Sequence, residues 1–176
     1  MVNAYHFVGA TLRYGPPIPA DGEWLIHEGP VVICKTGLHA SLHPFDALQY
    51  APGATLCMVE CEDIVTKQPD KFVCRRRRIV KRIDATELLW KASRQYALSV
   101  IHLWNAPEVV REYLETGDES KRAAARAAAL DAAWAAVRAA ARDAAGAAAW
   151  DAAWDAAGAA QRDLFSRLVM EYFNGR

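Results

Sequence analysis

The sequence has no surplus of either charge: 21 Lys and Arg are matched by 21 Asp and Glu across 176 residues. A chain that grips nucleic acid or an acidic membrane with its whole surface needs a field of one sign, so only a local basic patch is left for such contacts. Long apolar runs are also missing. The apolar C-terminal stretches are broken by Asp or Arg every few residues, which argues against a bilayer-spanning helix. Met1-Val2-Asn3-Ala4-Tyr5-His6 has no basic region leading into an apolar stretch, so a cytoplasmic protein with no membrane contact is expected. Cysteine is scarce, with four residues at 34, 57, 61 and 74, and a cytosolic chain of this size does not build a disulfide framework from them. Cys57 and Cys61, with His39, come nearest to a metal set. A C-x-x-x-C spacing inside a strand lacks the turn of a zinc knuckle. No metal is expected, and an extended 57–61 places both thiols beside Val59 as small core residues.

What the sequence does contain falls into two grammars. Residues 1–83 read as strands and turns. Tyr5-His6-Phe7-Val8 begins a strand, the Gly- and Pro-rich segment 15–22 is a loop, Glu23-Trp24-Leu25-Ile26 is a further strand candidate, and Val31-Val32-Ile33-Cys34 reads as another. Leu56 to Cys61 is apolar on both faces until Glu60, the pattern of a central strand, and Lys71 to Ile83 is a long β-prone stretch heavy in arginine. The grammar changes at Asp84-Ala85-Thr86-Glu87, a helix-start signature in which Asp84 accepts from exposed amides and Glu87 reaches back. Leu89, Tyr96, Val100, Leu103 and Trp104 keep roughly helical spacing. Asn105-Ala106-Pro107 ends that helix and starts another, Gly117 closes the second, and Asp118 opens an alanine-rich tail over about 118–173. The fold class expected is α+β: a small sheet-rich N-terminal domain, 1–83, joined to a C-terminal helical bundle, 84–176.

The tail repeats in fours. Asp131, Asp143, Asp151, Asp155 and Asp163 fall on one four-residue series, and Trp134, Trp150 and Trp154 on the series before it. Both run as ridges that drift about 40° per repeat around a 3.6-residue helix. An unbroken helix from Glu119 to Phe173 would be roughly 80 Å long, too long for a compact domain. A break near Gly146 or Gly158, or else a helical homodimer, is expected.

Cys34-Lys35-Thr36-Gly37-Leu38-His39-Ala40-Ser41 is followed by Pro44-Phe45-Asp46-Ala47-Leu48-Gln49-Tyr50 and then Thr55-Leu56-Cys57-Met58-Val59-Glu60-Cys61. This succession resembles an uncharacterised domain family of phage and prophage genomes whose members carry a similar C-x-x-G-[FL]-H-[AS] turn. The resemblance covers about residues 5–84 and implies a genomic habitat rather than a reaction. The tail is similar to alanine-tryptophan-aspartate tracts of some bacterial immunity-like and phage proteins.

Four constellations are candidates for function. The order of His6 on an early strand, Gly37-Leu38-His39-Ala40-Ser41, and Tyr50 before a strand is similar to that of poly-ADP-ribose-polymerase-type transferases. That similarity implies an NAD pocket formed by His6, Ser41, Tyr50 and Glu60, although His6 lacks the following Gly-Ser or Gly-Thr. Arg75, Arg76, Arg77, Arg78, Lys81 and Arg82 form a basic run that, if extended, sends cations to both faces. It therefore reads as an edge strand or a twisted hairpin arm, paired with Glu60, Glu62, Asp63 and Asp70, or gripping nucleic acid or an acidic partner. In the turn motif Gly37, His39 and Ser41, glycine supplies the turn, His39 bonds backbone, and Ser41 or His43 caps the helix after it; with Cys34 and Asp46 the same turn is a nucleophile candidate. Trp134, Trp150 and Trp154 suit either a helical core or an interface. The expectation is a cytoplasmic phage or prophage accessory protein that binds a host protein or complex through the arginine strand and the tail, without a cofactor, as an inhibitor of a host defence system such as CRISPR-Cas. The alternatives are an NAD-using transferase or a degenerate relative of one, and nucleic-acid binding through the arginines.

Overall fold

The computed structural model describes residues 1–12, 15–140 and 147–175, with the side chains of 136–157 outside the description. The protein is α+β. Five strands, β1 (Val2–Val8), β2 (Trp24–Ile26), β3 (Leu38–Ala40), β4 (Thr55–Lys67) and β5 (Phe72–Asp84), form one antiparallel sheet. A short helix α1 (Pro44–Leu48) lies between β3 and β4, and α2 (Thr86–Ser99), α3 (Glu108–Thr116), α4 (Arg122–Ala140) and α5 (Ala147–Phe173) follow the sheet.

The sheet order is β1-β4-β5-β2, with β3 also on β5. Ser41, directly after β3, exchanges backbone bonds of 2.8 and 3.0 Å with Tyr5 of β1. The hydrogen-bonded path β1-β4-β5-β3 thus returns to β1, and the sheet curls into a small ring. Two bulges in the 13-residue pair β4–β5 supply the bend. The register leaves Val80 as the extra residue of one and Val65 of the other, which is why these strand valines are 47% and 48% exposed. Asp63, beside the second bulge, has φ 53°. Inside the ring lie Ala4, Val8, Ala40, Cys57, Val59, Cys61, Phe72, Cys74 and Ile79, small enough on β1 and β4 to let the strands close.

Several elements differ from the sequence reading. Val31–Cys34 is not a strand; Val32 only bridges Thr36, because its neighbours turn back at once. Leu38–Ala40, read as a turn, is β3. Of the two forms expected for the arginine strand, it is the hairpin arm and not an edge: β5 bonds β4, the strand before it, on one side and β2 and β3 on the other. Neither Ser41 nor His43 caps α1 through a side chain; His43 occupies the cap without such a bond, and Ser41 is committed to the sheet.

The contacts divide the chain into two compact units, Met1–Leu88 with Phe165–Arg176, and Leu89–Leu164. In the first, the end of α5 covers the outer side of the sheet. Tyr5 donates from its hydroxyl to Met170 Sδ at 3.4 Å, Lys81 donates to the Phe173 carbonyl, and Phe165 meets Phe45 edge-on at 6.1 Å. Phe7 and Leu56, paired in register on the same side as Tyr5, are buried.

Several local start and stop signals act as read, one at the end of the Met1–Leu88 segment and the others in the second unit. Asp84 Oδ1, just before α2, accepts from Thr86 N at 2.9 Å. Pro107 precedes α3, and Gly117 ends it in the left-handed region, φ 69°. Asp118 accepts from Ser120 N and opens the tail. The apolar stripe of α2 does not continue as read: α2 ends at Ser99, Leu103 closes a single 3-10 turn and Trp104 follows it, and they are 73% and 38% exposed. The tail does not break at Gly158, which α5 passes through. One glycine costs a helix about 1 kcal/mol, and the surrounding alanines are the best helix formers. The other expected break, Gly146, lies outside the described residues.

Candidate functional site

Each cation of the arginine strand has a partner within the chain. Arg76 pairs with Glu62 at 2.5 Å, Arg78 with Glu60 through Nε at 2.6 Å, and Arg82 with Asp21 through Nε at 2.6 Å. Arg75 donates to the Gly29 carbonyl at 2.9 Å, Arg77 to that of His39, and Lys81 to that of Phe173. Arg76 and Arg78 also stack on Trp24 of β2, 4.6 and 4.9 Å from its ring centre. Alternation on antiparallel strands puts Trp24, Arg76, Arg78, Glu60 and Glu62 on one side. This ladder explains how a central strand carries Arg76 and Arg78: β4 places Glu62 and Glu60 opposite them. Of the acids expected to pair, Glu60 and Glu62 do so. Asp70 instead accepts from the Tyr50 hydroxyl.

Arg77 is the exception on β5, because it points into the ring and is 6% exposed. Burial lowers its pKa from the usual arginine value, while the thiols of Cys61, Cys74 and Cys57 around it favour its charge. His6 faces the same interior. Burial holds its imidazole well below its ordinary range, and Arg77 and then His39 push in the same direction, so His6 is neutral at pH 7. Cys57, Cys61 and Cys74 are all buried and in no disulfide, and for the first two this is the core position read for 57–61. Burial pushes Cys57 up to about 11. Cys61 is raised by its hydrogen bond with Cys74 and by burial; Cys74 is lowered by the same bond, with Arg77 assisting.

In the turn motif, Gly37 has φ 98°, and a Cβ there would lie 2.6 Å from Val73 Cγ2 and 2.9 Å from Val31 Cγ1. Glycine is needed both for the turn and for its close approach to β5. His39 accepts from the Cys34 amide through Nε2 at 2.9 Å, the backbone bond expected of it. That bond leaves the proton of a neutral ring on Nδ1. Ser41 is 2% exposed.

The four residues read as an NAD pocket have separate partners. His6 faces Arg77 and His39, Ser41 is backbone-paired with Tyr5, Tyr50 bonds Asp70 and Lys71, and Glu60 pairs with Arg78. Among the described residues no hydrogen bond or ion pair joins any two of them. In the tail, Trp134 on α4 is 61% exposed; the side chains of Trp150 and Trp154 lie outside the described residues. Sequence reasoning missed two features. One is Trp24 as the cover over two arginines, signalled only by its place in a short apolar strand. The other is Lys71 beside Tyr50, which no local pattern signals.

Residues 2–91 match a protein family described as a domain of unknown function (DUF7666). No curated protein and no solved structure matches the chain.

Proposed function

The chain belongs to the DUF7666 family, and we propose that it acts by binding a partner protein, as a phage or prophage accessory protein that inhibits a host defence system. The genomic setting rests on the resemblance of the C-x-x-G-[FL]-H-[AS] turn. The binding reading rests on one observation: Leu130 and Trp134, one turn apart on α4, are 51% and 61% exposed. Large apolar side chains left in water are costly to keep, and aromatic anchors flanked by arginine supply most of the energy of protein interfaces. Here Arg122 and Arg126 line an open groove of about 490 Å³ together with Leu130 and Glu119. The arginines of β5 are a weaker surface, since each already has a partner in the chain. The partner surface that fits carries an apolar pocket for Trp134 beside a carboxylate for Arg126, Arg122 being paired with Glu119.

The test is an affinity pull-down of the tagged full chain from bacterial lysate, with and without nuclease, alongside Trp134→Ser. A protein held at near-stoichiometric yield after nuclease, and lost with Trp134→Ser, is the expected result. Empty beads, or material released by nuclease, would reject the reading. So would sedimentation that shows the wild type self-associating through Trp134, because the patch would then serve a homodimer.

A further inference from the structure

Helix α4 has two faces, and only one of them is spent on its own unit. Ala125 is buried, Ala128, Ala129 and Ala132 are half-buried, and α4 packs on α3. The opposite side carries Ala123, Ala127, Leu130 and Trp134, all exposed. They are spaced four, three and four residues apart. At 3.6 residues per turn these four lie within about 60° of one another, nearly half a turn round from the buried set. The stripe is about 16 Å long and one residue wide, with Arg126 on one flank and Asp131 on the other. Arg122 is occupied, pairing with Glu119 at 3.2 Å and covering Trp90 at 5.5 Å from its ring centre. Among the described residues neither Arg126 nor Asp131 has an ion partner.

We propose that this stripe docks one α-helix of the partner protein, packed along α4 as in a two-stranded coiled coil, with an acidic residue facing Arg126 and a basic residue facing Asp131. Such a helix presupposes the binding role proposed above. Apolar residues at alternating spacings of four and three keep one seam beneath a neighbouring helix that crosses at about 20°. A helix face that meets a globular core is wider, at about 100° or more. Residue size along the seam then fixes the complement. Ala123 and Ala127 let the two axes approach to about 8 Å, whereas Leu130 and Trp134 stand out at the other end. The partner helix is therefore large beside the alanines and small beside Trp134, and its small residue makes the pocket for the indole. The opposite charges of the two flanks set its direction, because a reversed helix would lay its acid against Asp131.

To test this, p-benzoylphenylalanine replaces Ala123, Ala127 or Leu130 in turn in the tagged full chain. Each form is irradiated in nuclease-treated bacterial lysate, and the crosslinked peptides are located by mass spectrometry. All three are expected to reach one partner segment, at sites three or four residues apart. That segment, made as a synthetic peptide, is then titrated against the full chain, and it is expected to gain helical circular dichroism on binding. Ala127→Glu is expected to weaken the peptide's affinity roughly tenfold or more. Ala135→Glu, at an exposed position off the stripe, changes it by less than about twofold. Glutamate is a good helix former, so both variants fold. Arg126→Glu weakens binding, and exchanging the facing acid of the peptide for lysine restores it. Empty beads would overturn the binding role and the helix with it. Crosslinks scattered over separate segments, a peptide that binds without becoming helical, or Ala127→Glu binding as the wild type does, would overturn the helix and leave the binding role standing. A dimer in sedimentation that Ala127→Glu dissolves would put a second copy on the stripe and overturn both.

Discussion

At His6 the ring interior sets how folding responds to pH. Its imidazole is held well below the ordinary value of 6.5 by burial, Arg77 and His39, so in the window beneath 6.5 the unfolded chain binds a proton that the folded chain refuses. Stability then rises with pH, and it falls as pH drops through that window until the folded group itself titrates. Unfolding free energy measured by urea between pH 6.5 and 5 is expected to fall with a slope of up to about 1.4 kcal/mol per unit. His6→Asn is expected to flatten that slope; an unchanged slope would place the proton elsewhere. The carboxylates of Asp84 and Asp118 do not contribute in this window, because their hydrogen bonds to Thr86 and Ser120 hold them below the usual carboxylate value. Arg77 and His6 are the residues whose roles the sequence hid. An arginine among arginines and a histidine in an apolar strand carry no local mark of facing one another.

Among the elements, the pair β4–β5 carries the argument. Its alternation was readable wherever the pleat is regular, as at Leu56 to Cys61, and failed where a bulge inserts a residue. Val65 and Val80 look like core by composition yet are half exposed because the ladder skips them. Val59→Ala, at 0% exposure, is expected to cost about 2 kcal/mol, from the methyl groups lost and the cavity left. Val65→Thr and Val80→Thr are expected to change stability by less than about 0.5 kcal/mol. Chemical denaturation of the three variants checks this, and a loss at Val80 as large as at Val59 would refute the register. Of the two forms read for the basic strand, hairpin arm and edge, the edge fails for a related reason. Cations on both faces are unacceptable in a buried strand only while their partners are unknown, and Glu60 and Glu62 stand 18 and 14 residues away along the chain. Helix ends were legible, since Pro107, Gly117, Asp84 and Asp118 act on amides or carbonyls within four residues.

Across the whole molecule, the N-terminal unit is completed by the last residues of the chain. Phe165, Leu168, Val169 and Phe173 are buried and belong with Met1–Leu88, so the matched family region, 2–91, is not the whole of this core. Phe165→Ala is expected to destabilise that unit by about 3–5 kcal/mol and to raise binding of a hydrophobic dye. A native-like thermal transition would show instead that the sheet's outer side is covered without it. By itself the sequence determined the α+β class, the central place of β4, the buried thiols at 57 and 61, the start of α2, both ends of α3 and the opening of the tail. These follow from side-chain period and from hydrogen bonds that close within one turn. Only the tertiary structure decided the closure of the sheet through Ser41 and Tyr5, the carboxylates opposite Arg76 and Arg78, the return of α5, and the meeting of Lys71 with Tyr50. Each of these joins positions far apart in the chain, where register and loop closure, rather than local preference, select which side chains meet.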